Sequence, residues 1–302
     1  MQAIFAFQAN GSDNIPNNER LLFYSFDNIY KLYILLLMFF IALKHKAEKE
    51  IKIGLNKNFP TKEDLNPNYK FVKNIIINLL ENNKNLKDYI EKYKLNKWEV
   101  DIELVDFVWK KIKDSKIYKD YMSTETNNFI EDKEFILIIF KNFIAPEQKL
   151  HESFEADESQ WADDIAVANT FVMKTISNIK KEDSFQNLSS IFKDEQDREF
   201  ASKLFKKVIL NDDELTSRII GKTPNWEFNR ISLIDRLLLK MAIAEYLYFP
   251  SIPPRVSINE YVEIAKEYSS PKSKIFINGV LHNVLKELKK EGKLNKNIRG
   301  KI

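Results

Sequence analysis

The sequence predicts an all-α protein, and three observations carry that prediction. Lys, Glu, Leu, Ile and Asn dominate a chain of 302 residues with only six glycines and nine prolines, so few helix breakers interrupt it. Apolar residues recur at three-and-four spacing in three successive stretches between Ile231 and Leu288. A set of Phe, Leu and Trp anchors also returns twice, at offsets of 63 to 65 residues, as stacked helical units would require.

Residues Met1 to Gln8 have the character of a helix end, closed by Asn10-Gly11. A long helical pattern follows over 18–56, with Leu21, Leu22, Phe26, Ile29, Leu32 and Leu36 on one stripe. Its most apolar run, Leu32 to Leu43, is about half of what a membrane span needs and predicts a buried core helix. Lys44, Lys46, Lys49 and Lys52 crowd the last turns, where cations suit the negative end of the helix dipole and a solvated end is expected.

The middle of the chain carries the repeat. Phe71, Leu86 and Trp98 are echoed by Phe135, Leu150 and Trp161, and again by Phe200, Leu215 and Trp226. Phe140-Lys141 answers Phe205-Lys206, and Ile144 answers Ile209. Each copy reads as helix, polar linker, second helix, Trp, third helix, and is too small to cover its own apolar face. The three tryptophans are expected to be buried in equivalent places. Ser184 to Ser190 reads as a linker.

The last three helices start from different signals. In the first, Ile234, Leu237, Leu238, Met241 and Ala242 share a face until Pro250, Pro253 and Pro254 break the pattern. The second is expected to open on a capping box between Ser257 and Glu260, with Ile258, Tyr261, Val262, Ala265 and Tyr268 behind it. Ser270-Pro271 restarts the chain, proline losing no hydrogen bond at a first helical position. Phe276, Ile277, Val280, Leu281, Val284, Leu285 and Leu288 then form the third face. Residues 293–302 read as a basic, mobile tail.

These three helices carry a resemblance. Ile-Asp-Arg-x-x-Leu-x-Met-Ala, Ile-Pro-x-x-Val-x-Ile-Asn-Glu-x-x-Glu-x-Ala-Lys and Phe-Ile-Asn-Gly-Val-Leu, in that order with short spacers, resemble the C-terminal half of the NusB family. The start resembles the family's first helix, where an arginine-rich segment precedes a Gln-Ala-aromatic pattern; here nothing precedes Met1, so the start is either misplaced or lacks that segment. The resemblance implies a NusB-like helical bundle opened between its halves: 1–57 as its N-terminal helices, 58–187 as an inserted extension of two repeat-like units, and 188–292 as its C-terminal helices.

Chemistry of other kinds finds little footing. There is no cysteine, and His45, His151 and His282 are not spaced as ligands on a helix, so no metal or cofactor is expected. Gly-rich dinucleotide loops and nucleophile elbows are absent. Gly221-Lys222-Thr223 lacks the glycine a phosphate loop needs at Thr216 and reads as a turn. Asp163-Asp164 fits a helix start better than an acid–base pair. Glu245 continues the apolar face of Ile234, Leu238 and Met241. A buried carboxylate there needs a partner, for which Arg255, Lys266 or a backbone amide is expected.

The resemblance therefore implies binding and not catalysis. NusB proteins, with the small-subunit ribosomal protein that doubles as NusE, recognise boxA elements of nascent single-stranded RNA in the transcription elongation complex and support rRNA synthesis. On this chain the RNA-side positions are Gln2 and Phe5 on the first helix, and Phe276 with the nearby Lys272 and Lys274, Ile275 standing where the family often has lysine. Asp235 matches an acidic position that faces the ribosomal partner. A net charge of +3 does not by itself argue for nucleic acid. The competing class is a helical interaction scaffold without specific RNA binding. With no basic signal ahead of the apolar run, the expected compartment is the cytoplasm, without a membrane association.

Overall fold

The computed structural model describes residues 1–124, 126–181, 188–222, 228–294 and 296–297. Among the described residues every regular element is helical. The chain forms two compact units: Met1–Phe23 with Phe192–Ile302, the terminal unit, and Tyr24–Ile191, the inserted unit. The boundaries differ from the expected 57/58 and 187/188, because residues 24–57 pack with the insert. The apolar run Leu32 to Leu43 belongs to the insert's hydrophobic core.

Helix α1 (Gln2–Ala9) ends on Asn10, and Gly11 takes φ +57°, the left-handed turn that the Asn-Gly pair predicts. Helix α2 (Ile15–Leu55) gives residues 15–23 to the terminal unit and 24–55 to the inserted unit. It is the one helix among the described residues long and apolar enough to cross a membrane. Its residues 32–37 are buried without a break. The expected single stripe fails here because α2 is surrounded by the insert and has no solvent face over this stretch.

The insert continues through α3 (Lys62–Leu65), α4 (Ile75–Glu81), α5 (Lys84–Tyr93), α6 (Lys97–Val100), α7 (Ile102–Asp114) and α8 (Lys116–Tyr121). Then come α9 (Phe129–Ile139), which runs on into a π-helical turn Phe140–Ile144, α10 (Gln148–Asp157) and α11 (Trp161–Asn178), with Asp163 and Asp164 in its first turn. Two copies of the repeat grip α2 in the same way. Trp98 Nε1 donates to the Leu35 carbonyl at 2.7 Å and Trp161 Nε1 to the Asn28 carbonyl at 3.0 Å, two helical turns apart. Phe154 lies edge-on to both indoles, at 5.7 and 6.0 Å. Phe71 and Phe135 meet at 6.1 Å, and Leu86 and Leu150 are fully buried. In the third copy Leu215 is buried and Phe200 packs on Phe249 at 5.0 Å. Trp226 and most of the 184–190 linker lie outside the described residues.

The expected solvated end of α2 is only partly so. Lys44 is buried and donates to Asn78 at 2.6 Å and Glu81 at 2.5 Å, while Lys46 pairs with Asp106 at 2.7 Å; Lys49 and Lys52 remain exposed.

In the terminal unit α12 (Glu195–Leu210) and α13 (Asp212–Ile219) lead to a 3₁₀ turn, Phe228–Arg230, and to α14 (Leu233–Tyr248), α15 (Pro254–Tyr268) and α16 (Ser273–Lys290). Helix α14 is buried continuously from Leu237 to Tyr246, so it is the axis of this unit and not a one-faced helix. The last helix buries Ile277, Val280, Leu281, Val284, Leu285 and Leu288, as its spacing predicts.

Four local expectations are corrected. No Ser257–Glu260 capping box starts α15, because Pro254 at the first helical position opens it a turn earlier and puts Ser257 inside the helix. Pro271 stands in the turn before α16, and Tyr268 is 41% exposed rather than part of a buried stripe. The tail is anchored at its start: Leu294 packs on the core, Asn297 N donates to the Pro250 carbonyl at 3.0 Å, and Lys296 is buried.

Candidate functional site

The turn between α15 and α16 is built from serines around a buried acid. Ser232 caps α14 by accepting from Asp235 N at 3.1 Å, which fixes the Asp235 backbone at the helix start. The Asp235 carboxylate is 6% exposed and accepts from Ser269 Oγ at 2.7 Å and from Ser273 Oγ at 2.8 Å. Ser270 Oγ lies 2.8 Å from Ser273 Oγ. Since Ser269 and Ser273 each have one proton and both give it to Asp235, Ser270 donates to Ser273. The acid thus ties the start of α14 to the end of α15 and the first turn of α16, and charge-assisted bonds of this kind are the stronger class.

On this pinned corner Lys272 and Lys274 are exposed, and neither forms an ion pair among the described residues. Ile275 is 71% exposed, and Phe276 is half-buried with one side on the core. Helix α1 borders the same core through Ile4 and Phe7, the latter edge-on to Phe205 at 6.2 Å. Gln2 is exposed and Phe5 is 44% exposed on its outer side. Asp212 joins α1 to α14 by accepting from Gln8 at 2.9 Å and Lys240 at 2.6 Å.

The expected site residues therefore fall on three elements around one core, Gln2 and Phe5 on α1, Asp235 on α14, and Lys272, Lys274 and Phe276 at the start of α16. Asp235 differs from the rest. Its carboxylate is not a free surface charge but is occupied by two hydroxyls. Sequence reasoning missed those serines, although the run Ser269-Ser270-Pro271-Lys272-Ser273 signalled hydroxyls crowded at a helix start.

Glu245 is partnered by hydroxyls and not by the expected Arg255 or Lys266. Ser257 Oγ donates to it at 2.5 Å and Tyr261 OH at 2.6 Å. Burial raises its pKa above the ordinary carboxylate value, against the lowering effect of these bonds. Beside it Lys296 Nζ donates to the carbonyls of Glu245 and Phe249 at 3.0 and 2.8 Å, at the end of α14. Burial lowers the Lys296 pKa to about 8, opposed by the Glu245 charge. These groups lock helices together, and Gly221, at φ +82°, makes the turn its sequence predicts.

A model of the NusB family matches residues 163–286, from the first turn of α11 to the fourth turn of α16. The chain is 45% identical over 109 residues to the transcription antitermination protein NusB of Salinibacter ruber, a stretch that is 36% of this chain and 68% of that protein. It belongs to the NusB family. The NusB of Listeria monocytogenes serotype 4a is 42% identical over 102 residues, 34% of this chain and 79% of that protein. That of Chloroherpeton thalassium is 44% identical over 105 residues, 35% of this chain and only 50% of that relative. No solved structure matches. NusB proteins are antitermination factors and not enzymes, and the family's fold is all-α. The corner of Asp235, Lys272, Lys274 and Phe276 lies inside the NusB match, whereas α3 to α10 lie outside it.

Proposed function

We propose that this chain is a transcription antitermination factor that binds boxA-type single-stranded RNA together with the small-subunit ribosomal protein NusE, in the cytoplasm and as part of the elongation complex. The observation that carries the reading is the α15–α16 corner, where two lysines without an ion pair among the described residues precede a half-buried aromatic on a turn tied to Asp235. Lysines attract phosphates at any sequence, and an aromatic face stacks on an unpaired base. Gln2 and Phe5, exposed on α1, add a polar group and a ring for the strand to meet. Asp235 serves NusE binding by shaping the ground on which the partner docks, since its own oxygens are occupied.

The test is titration of a boxA-like strand against a scrambled one at several salt concentrations, with and without the ribosomal protein. Phe276→Ala is expected to weaken binding by about 1–3 kcal/mol, the worth of one stacked base. Lys272→Ala and Lys274→Ala each flatten the dependence of log affinity on log salt by about 0.7 without altering sequence preference. Absence of any preference for boxA in either setting, with Phe276→Ala losing only stability, would make the chain a helical scaffold.

A further inference from the structure

The inserted unit carries an exposed aromatic tip that the NusB match does not reach. Phe59, in the loop between α2 and α3, is 93% exposed, the most open of the large apolar side chains among the described residues. At that exposure both faces of the ring are open to solvent. The loop that holds it is fixed. Asp64 accepts from Lys57 Nζ at 2.8 and 2.9 Å, from Thr61 N at 2.9 Å and from Thr61 Oγ1 at 3.0 Å, while Thr61 caps α3 in return. Gly54 closes the other side, since a Cβ there would meet Asp64 Oδ1 at 2.7 Å.

The surroundings are cationic. Residues 44–73 contain eight lysines and four acids, an excess larger than the +3 of the whole chain. Lys44, Lys46, Lys57 and Lys70 are neutralised by carboxylates. Lys49, Lys52 and Lys62 are exposed and form no ion pair among the described residues. Lys49 and Lys52 share the outer face of α2 with Ile53 and Asn56 by their three-and-four spacing, a strip that leads to the loop. Farther along, Lys73 lies over the Tyr69 ring at 5.5 Å.

A flat ring open on both faces, on a loop that needs no further ordering, beside lysines without partners, suits a ligand that is at once anionic and flat. An unpaired RNA strand has both properties, its phosphates for the lysines and its bases for the ring. We propose that the Phe59 loop with Lys49, Lys52 and Lys62 is a second, sequence-tolerant contact for single-stranded RNA. It rests on the RNA-binding reading only for the choice of RNA as the strand, and it gives the insert a role in holding flanking nucleotides.

The full chain is cross-linked by ultraviolet light to a 4-thiouridine-containing oligouridylate of about 20 nucleotides, and tryptic peptides are mapped. Wild type is compared with Phe59→Ala, Lys52→Ala/Lys62→Ala and Lys272→Ala/Lys274→Ala, each checked by circular dichroism. The proposal expects cross-links on peptide 58–62 that persist in the Lys272→Ala/Lys274→Ala variant. It also expects an affinity at least about fivefold lower for Phe59→Ala, from one lost stack. The Lys52→Ala/Lys62→Ala variant should flatten the salt slope by about 1.4, for two lost phosphate contacts. Cross-links confined to the α16 peptides, or unchanged affinity in Phe59→Ala, overturn this proposal and leave the first site standing. No cross-link and no binding anywhere overturns both.

Discussion

Ser273 Oγ donates to Asp235 Oδ2 at 2.8 Å, so the first turn of α16 hangs on an acid at the start of α14. Two hydroxyls share that carboxylate, and among the described residues neither donates to another acid. Asp235→Ala is expected to cost about 2–4 kcal/mol, because it leaves polar groups buried without their acceptor. Asp235→Lys should cost more, placing a cation at a position only 6% exposed and without its two hydroxyl donors' acceptor. Thermal melting checks both, and RNA titration at a temperature where each variant is folded reads the corner itself. An Asp235→Lys protein that melts like wild type would show the carboxylate to be a surface charge after all.

Trp98 and Trp161 hold successive parts of α2 through their indole N–H groups. Trp98→Phe and Trp161→Phe should each lose about 0.5–1.5 kcal/mol in denaturant unfolding, whereas the alanine variants should lose about 3–5 kcal/mol. Both rings touch Phe154, so the double phenylalanine variant is expected to depart from the sum of the singles. Strict additivity would mean that the two repeat units grip α2 independently.

Asp164 in α11 is 8% exposed, and burial followed by the charge of Asp163 raises its pKa from 3.8 to about 6. The folded protein then holds this proton more tightly than the unfolded chain does. Stability from this group is full below pH 3.8 and is lost as pH rises through about 6. Asp164→Asn should remove that loss, raising the melting temperature at pH 7 and flattening the profile between pH 4 and 6. The check is a set of melts across that range, and a variant less stable than wild type at pH 7 would contradict it.

Periodicity and breakers determined much of this protein by themselves. The helical class, the turn at Gly11, the buried face of α16 and the paired burial of Trp98 and Trp161 follow from spacing alone, since a helix shows its solvent side every three or four residues. The family was legible too, through three motifs in one order, although the serines around Asp235 were not. Tertiary structure decided what spacing does not encode. Residues 32–37 of α2 and 237–246 of α14 are buried without a break because other helices surround them there, so no stripe could mark their faces. Asp235, Glu245 and Lys296 have partners 12 to 51 residues away, in Ser269, in Ser257 and Tyr261, and in the Glu245 carbonyl. A buried polar group must be satisfied, but the chain's path through space chooses which group satisfies it.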